Sequence, residues 1–149
     1  MQPTRHALKA MALTVLIALA PHTTQAQPAD DQTRIARDII RVLEAYAVYK
    51  MGQYDLAFER YMALAKDGNR QGMLNVANMY AAGKGVEKSD TNAFQWYLRL
   101  AESGDRIGIT ETAKAYRTGK GVQENAEQAR YWEEQTGSST GTADAGTQN

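Results

Sequence analysis

The chain has 149 residues, of which 43% are hydrophobic and 23% are charged, and its formal net charge is zero. This composition predicts one soluble domain with tails, with room for a modest core but not for a large enzyme cavity. Without the N-terminal segment that contains Arg5 and Lys9, 15 basic residues stand against 17 acidic residues, a net charge of −2. A nucleic-acid partner would require a clear basic excess, so we expect no nucleic-acid binding.

The chain contains no cysteine, and its two histidines, His6 and His22, both lie in the N-terminal segment. The absence of cysteine excludes disulfides, thiolate metal sites and cysteine nucleophiles. If the N-terminal segment is removed, the mature protein also lacks histidine, which excludes the usual zinc sites and any catalytic triad with a histidine base. We therefore expect no cofactor, no bound metal and no enzymatic activity.

Residues 1–26 have the pattern of a cleavable secretory signal peptide. The segment starts with the positive charges of Arg5 and Lys9, followed by an apolar run at residues 10–20. Pro21 then ends the run, and Thr24-Gln25-Ala26 supplies a cleavage site with small residues. The apolar run is too short for a permanent membrane span, so an uncleaved anchor is the weaker alternative. With no cysteine near the cleavage point, a lipoprotein anchor is excluded. We expect a periplasmic or secreted protein of Gram-negative type, with no stable membrane insertion after cleavage.

A short polar linker is expected at residues 27–32, followed by a first helix from about residue 33 to residue 51. Apolar residues recur there with helical spacing. They are Ile35, Ile39, Val42, Leu43, Tyr46 and Tyr49. Gly52 ends this helix, and a second helix is predicted over residues 54–66.

The sequence of residues 65–97 is repeated in part 36 residues later, at residues 101–133. The alignment has no gap, and its twelve identities are mostly small residues, aromatics and turn glycines. The identical pairs are Ala65/Ala101, Gly68/Gly104, Arg70/Arg106, Gly72/Gly108, Ala77/Ala113, Tyr80/Tyr116, Gly83/Gly119, Lys84/Lys120, Gly85/Gly121, Val86/Val122, Ala93/Ala129 and Trp96/Trp132. A fixed period of this length is typical of a helical solenoid.

Each copy reads as two helices joined by a glycine-containing loop. The predicted helices cover about residues 70–82 and 91–102 in one copy and 106–118 and 125–135 in the next. Asp90 is the expected N-cap of the second of these helices. The Gly-Lys-Gly loops lack the spacing and the preceding strand of a phosphate-binding loop, so their glycines are interpreted as turn residues with positive φ.

Tyr, then Gly-x-Gly-Val, then Ala and Trp occur twice at the same spacing, in Tyr80, residues 83–86, Ala93 and Trp96 and again 36 residues later. This pattern, which covers about residues 45–135, resembles the Sel1-like repeat family, a relative of the tetratricopeptide repeats. The resemblance implies an all-α fold, a short right-handed α-solenoid of about three helix-turn-helix units over residues 33–135. The first unit has a shorter turn and looks more like a tetratricopeptide repeat.

Beyond the repeats, residues 136–149 are of low complexity and almost without large apolar groups, so a disordered tail is expected. The aromatic residues that recur with the repeat are interpreted as core residues. Tyr131 is the exception, because the residue 36 positions before it is Gln95. With Trp132 it predicts an exposed patch on the last helix, for self-association or as an edge of a partner site.

Outward-facing positions of the first helix in each repeat give the remaining candidate surface. In helical solenoids such helices line the concave side, where partners bind. The candidate partner-binding residues are Gln71, Asn75, Asn78, Glu111, Lys114 and Arg117, together with Tyr131 and Trp132. A plain solvated face is the alternative.

The resemblance implies a scaffold or regulator of an envelope process. We therefore predict a periplasmic protein–protein interaction module that binds a segment of a protein partner through its concave face. One specific version is an immunity protein that neutralises a secreted toxin. The alternative of another class is a cell-wall-acting enzyme that uses carboxylates only, although the repeat supplies no evident cleft for such a pair.

Overall fold

The computed structural model describes residues 28–138, and within that range it contains six α-helices and no strand. The helices are α1 (Pro28–Lys50), α2 (Tyr54–Lys66), α3 (Arg70–Ala82), α4 (Asp90–Glu102), α5 (Arg106–Thr118) and α6 (Ala126–Ser138). The predicted signal peptide and residues 139–149 of the predicted tail lie outside the described residues.

Helices α2, α3 and α5 have the predicted bounds, whereas α4 begins at Asp90 because Ser89 is its N-cap. The Ser89 hydroxyl oxygen accepts a hydrogen bond from the Asn92 backbone N–H at 3.2 Å. The expectation that Asp90 caps this helix was wrong. Asp90 instead lies in the first turn, where a carboxylate is stabilised by the positive end of the helix dipole.

The outermost helices are longer than the sequence pattern indicated. Helix α1 begins at Pro28, so nearly all of the expected linker at residues 27–32 is helical. Proline is favoured at the first helical position, and Asp30 and Asp31 suit the first turn. Helix α6 continues to Ser138, three residues into the expected tail.

Each helix packs most extensively on the helices next to it in the sequence, which gives three stacked helical pairs: α1–α2, α3–α4 and α5–α6. The predicted all-α helical repeat solenoid is confirmed. Small residues occupy many of the buried positions where the helices touch. These include Ala45, Ala57, Ala65, Ala77, Ala93, Ala101, Ala113 and Ala129.

Aromatic pairs join neighbouring units at the repeat spacing. The rings of Phe58 and Tyr80 meet edge to face with their centroids 5.2 Å apart, and Phe94 and Tyr116 form the same pair one repeat later, also at 5.2 Å. Edge-to-face contacts add to the stabilisation from burial because the positive ring edge meets the negative ring face. These recurring aromatics therefore pack helix on helix, as the sequence predicted.

Glycines bring backbones together where units stack. Gly85 and Gly121, each with positive φ, approach the start of the second helix in the preceding unit. A Cβ atom at either position would overlap a backbone carbonyl oxygen, that of Tyr54 or that of Asp90 respectively. The Gly-x-Gly loop is therefore a packing element between units as well as a turn.

We expect Gly121→Ala to destabilise the fold much more than Gly119→Ala in the same loop. Both glycines have positive φ, which costs alanine about 1–2 kcal/mol. A Cβ at position 119 would make only an ordinary contact, 3.6 Å from the Glu124 Cβ, whereas at position 121 it would overlap Asp90. Forcing backbones apart adds roughly 1–3 kcal/mol. Chemical denaturation of both variants measures the difference, and equal losses would show that the loop does not pack on α4.

Candidate functional site

Two grooves lie side by side between the first helices of successive units. Groove 1 lies between α1 and α3, and its floor is Tyr61 of α2. Groove 2 lies between α3 and α5, and its floor is formed by α4 residues that include Phe94 and Tyr97. Both grooves are lined in part by first helices, and α3 contributes residues to each of them.

The two grooves are built from the same positions of the repeat. Six of the eight positions that line groove 1 are equivalent to groove 2 positions 36 residues later, as Tyr61/Tyr97, Asn75/Glu111, Asn78/Lys114, Met79/Ala115, Ala82/Thr118 and Lys84/Lys120. The tyrosine on the floor and the loop lysine are kept, whereas the wall residues change in charge. The same pocket is therefore repeated with different walls, a geometry suited to reading successive parts of an extended ligand.

In groove 1, Lys84 is held against tyrosine. Its Nζ donates to the Tyr49 hydroxyl at 3.1 Å and lies 5.4 and 5.3 Å from the ring centroids of Tyr49 and Tyr54. The hydrogen bond with Tyr49 is the main reason that the pKa of Lys84 is raised. The lysine is therefore charged at neutral pH, and the side chains that hold it are tyrosines and not carboxylates.

Tyr97 and Asn78 connect the two grooves. The Tyr97 hydroxyl donates to the Asn78 Oδ1 at 2.6 Å, so an α3 residue that lines groove 1 also fixes a ring in the floor of groove 2. Burial raises the pKa of Tyr97, and the nearby negative charge of Glu111 raises it further. The bond leaves the side-chain amide N–H groups of Asn78 as donors for a ligand.

The structure brings four of the predicted site residues onto the grooves: Asn75, Asn78, Glu111 and Lys114. Asn75 is half-buried, and its amide group donates to the Gln71 carbonyl oxygen at 2.8 Å. Glu111 and Lys114 form an ion pair at 3.6 Å on one face of α5. Gln71 is exposed one turn before Asn75 on α3 and takes part through its backbone carbonyl.

The other predicted residues lie elsewhere. Arg117 forms an ion pair with Glu133 of α6. Tyr131 and Trp132 line a separate depression beside the α4–α5 turn. Tyr131 is exposed, Trp132 is half-buried, and their rings meet edge to face at 5.2 Å.

Sequence reasoning missed the aromatic wall of groove 1, which Tyr46 and Tyr49 of α1 supply. Both belong to the apolar helical pattern of the first helix, yet Tyr46 is 51% exposed. A signal was present in the sequence. When α1 and α3 are aligned at their last residues, Lys50 and Ala82, Tyr46 is equivalent to Asn78 and Tyr49 to Ala81. These two tyrosines therefore do not recur in the next unit. A comparison with the equivalent residue of the next unit, the argument that identifies Tyr131 as an exception, also identifies these two tyrosines.

Within residues 28–138, no cluster of three or more His, Cys, Asp or Glu side chains could hold a metal ion. In the same range, no helix has both the length and the apolar character needed to cross a membrane. What the grooves offer is aromatic rings, amide groups and single charges. These groups suit noncovalent recognition.

We expect Glu111→Gln to lower the pKa of Tyr97 only in part, because burial is the larger cause of its elevation. A raised tyrosine pKa means that the folded protein favours the neutral phenol. The stability linked to this proton is therefore present below the ordinary tyrosine pKa, about 10, and is lost as the pH rises through the raised value. Ring chemical shifts followed by NMR against pH, with Tyr97→Phe to assign the signal, measure this. Glu124→Gln, a change in the α5–α6 loop, is the control, and an ordinary pKa for Tyr97 would contradict the geometry.

The Sel1 repeat family model matches residues 70–105 and 108–135, which correspond closely to the second and third helical pairs. A search of the curated proteins finds no match. Among solved structures, the chain is similar to a protective antigen of uropathogenic Escherichia coli with an SLR fold, at 35% identity and a TM-score of 0.56. That match covers 58% of this chain and 18% of the antigen.

The chain is also similar to a Sel1 repeat protein from Oxalobacter formigenes, at 27% identity and a TM-score of 0.58, over 66% of this chain and 39% of that one. The matched part is therefore less than half the length of either protein. Residues 70–105 and 108–135 of this chain are therefore Sel1 repeats, and the solved structures that it resembles are bacterial Sel1-repeat and SLR-fold proteins. Sel1 repeats generally serve as non-catalytic modules for protein–protein interaction.

Proposed function

We propose that this protein binds an extended segment of a partner protein across groove 1 and groove 2, and that it does so in the periplasm or after secretion. The observation that carries the proposal is the tandem repetition of the groove. Two pockets with equivalent floors and different walls can each take one part of a chain whose side chains follow one another at regular spacing.

A protein segment fits the chemistry of the grooves better than a small molecule does. The grooves contain separate donors and acceptors, such as the Asn78 amide and the Glu111 carboxylate. Tyrosine rings beside them supply apolar contact area at a low cost in side-chain entropy. A peptide backbone with alternating polar and apolar groups uses both kinds of contact at once.

The charge of Lys84 defines what groove 1 prefers. The neighbouring groove has two lysines that already have carboxylate partners, Lys114 with Glu111 and Lys120 with Asp90, each at 3.6 Å. Lys84 is instead held by the neutral side chains of Tyr49 and Tyr54. We infer that groove 1 accepts an acidic side chain of the partner, because a carboxylate there would gain a charge-assisted hydrogen bond.

A photo-crosslinking amino acid placed in the grooves is expected to capture the partner in the native cell. Positions 75 and 114 lie in groove 1 and groove 2, and position 95 is an exposed site on α4 that serves as the control. Adducts of one defined mass should form from the groove positions and not from position 95. Equal yields at all three positions, or none in the grooves, would mean that the partner binds another surface.

With that partner in hand, Lys84→Gln is expected to weaken binding by about tenfold, since charged hydrogen bonds contribute about 1.5–3 kcal/mol. Lys88→Gln, an exposed lysine in the same loop, should leave the affinity unchanged. Isothermal titration calorimetry gives the affinities, and thermal unfolding of each variant shows whether the loss is one of stability instead. Equal affinities for the two variants would remove the proposed role of Lys84.

Export requires a separate test. The support for it is the charged start, apolar run and Thr24-Gln25-Ala26 site in residues 1–26. We expect cleavage after Ala26, so the intact mass of protein from a periplasmic fraction should correspond to a chain that begins at Gln27. A mature chain that still contains His6 would contradict the proposal of cleavage.

A further inference from the structure

The largest apolar residues left exposed in residues 28–138 are concentrated on α1. On that helix they are Ile35 at 49%, Ile39 at 55%, Ile40 at 56%, Leu43 at 61% and Tyr46 at 51% exposed; the others are Met51, Leu56, Ile107 and Tyr131. By contrast, the predicted patch on α6 exposes one large aromatic, Tyr131, while Trp132 is half-buried. The apolar surface that calls for a partner therefore lies at the opposite end of the solenoid from the one the sequence indicated.

The exposed residues of α1 form one continuous stripe, which we call the α1 face. Helix α1 buries Ala45 and Val48 against the rest of the fold. Successive residues of a helix are rotated by about 100° around its axis. Between Ile35 and Ala47, all the positions that this rotation places on the side opposite Ala45 and Val48 are apolar. The α1 face consists of Ile35, Ala36, Ile39, Ile40, Leu43, Tyr46 and Ala47. A helix side that faces solvent normally carries polar groups, so this side is built to be covered.

The length of α1 exposes this face further. Helix α1 has 23 residues, and α2, which packs along it, has 13. The N-terminal part of α1 therefore projects beyond its helical partner, and no helical pair precedes it within the described residues. A second long helix laid along the α1 face would cover both the projecting part and the stripe.

Charges beside the stripe indicate what that second helix is. Arg37 and Glu44 lie on the same flank of the α1 face, seven residues or two helical turns apart. If the α1 helix of a second copy packs antiparallel on this face, the flank with Arg37 and Glu44 faces the same flank of the other copy. Arg37 of each copy then lies beside Glu44 of the other. In a parallel pair the same flank would face the apolar flank that contains Ile39. Glu44 forms a long ion pair with Arg60 of α2 through one carboxylate oxygen, at 3.9 Å, and its exposed carboxylate has a second oxygen that can accept from Arg37 of the other copy.

We propose that this protein forms a two-fold symmetric dimer in which the α1 faces of two copies pack antiparallel, with Ile40 and Leu43 at the centre. The two Arg37–Glu44 pairs flank this apolar seam and set its direction. Each copy would keep its own groove 1 and groove 2, so that one assembly has two sets of grooves. This inference does not depend on the proposed binding function, because it rests on the outer side of α1, which shares only Tyr46 with the lining of groove 1.

Charge reversal tests the proposal with the full-length gene product, purified from cells that express it. Sedimentation equilibrium over a wide concentration range should show a reversible dimer. Arg37→Glu and Glu44→Arg should each weaken it by about tenfold or more, because each puts two like-charged pairs across the seam. Mixing the two single variants should restore association as a heterodimer, and the double variant should restore the homodimer.

Two further variants separate the α1 face from other surfaces. Ile40→Glu should abolish dimer formation without a loss of folding, since Ile40 is 56% exposed. Ile107→Glu, at a similarly exposed position on α5, should leave the dimer intact. A wild-type chain that stays monomeric, or a dimer that survives Ile40→Glu and both charge reversals, would overturn the proposal. The face would then be covered by the chain's own N-terminal residues or by a different protein.

Discussion

Close backbone contact between successive helices is the constraint on which the rest of the structure depends. At Gly72 an added Cβ would lie 2.6 Å from the Leu64 Cβ, and the equivalent Gly108 is equally crowded. Glycine at these positions lets α3 and α5 lie directly on the preceding helix. Because the same approach is made at each repeat, the units stack with one offset. The grooves are what this stacking leaves open between the first helices.

Cap residues explain why helix boundaries could be predicted so closely in the repeats. The N-caps Asn69 and Asp105 accept backbone hydrogen bonds in the first turns of α3 and α5, and Gly83 and Gly119 end those helices in the left-handed conformation. Each signal is local and chemically specific, so one sequence suffices to read it. At α1 the equivalent signal is Pro28 with Asp30 and Asp31 in the first turn, and the polar composition of this segment alone predicts a linker.

The grooves and the α1 face were harder to predict, because periodicity shows that a residue is apolar and regularly spaced but not which neighbour covers it. Ile35, Ile39 and Leu43 have the spacing of a core stripe, yet in α1 the buried positions belong to the smaller Ala45 and Val48. An internal helix of a solenoid has neighbours on two sides. The first helix has them on one side only, so the same pattern leaves its larger residues exposed.

Exposed apolar surface at the end of a solenoid has a cost that natural repeat proteins usually avoid with a polar capping face. On α6 the exposed positions are mostly polar or charged, as at Arg130, Glu133 and Glu134. The α6 end of the solenoid therefore has a mostly polar capping face without a partner. The α1 face is not polar, because its stripe lacks a charge from Ile35 to Ala47. The difference between the two ends is what makes association through α1 the better account of the molecule. Only Tyr46 belongs both to the α1 face and to the lining of groove 1, so the other groove residues lie outside the dimer seam.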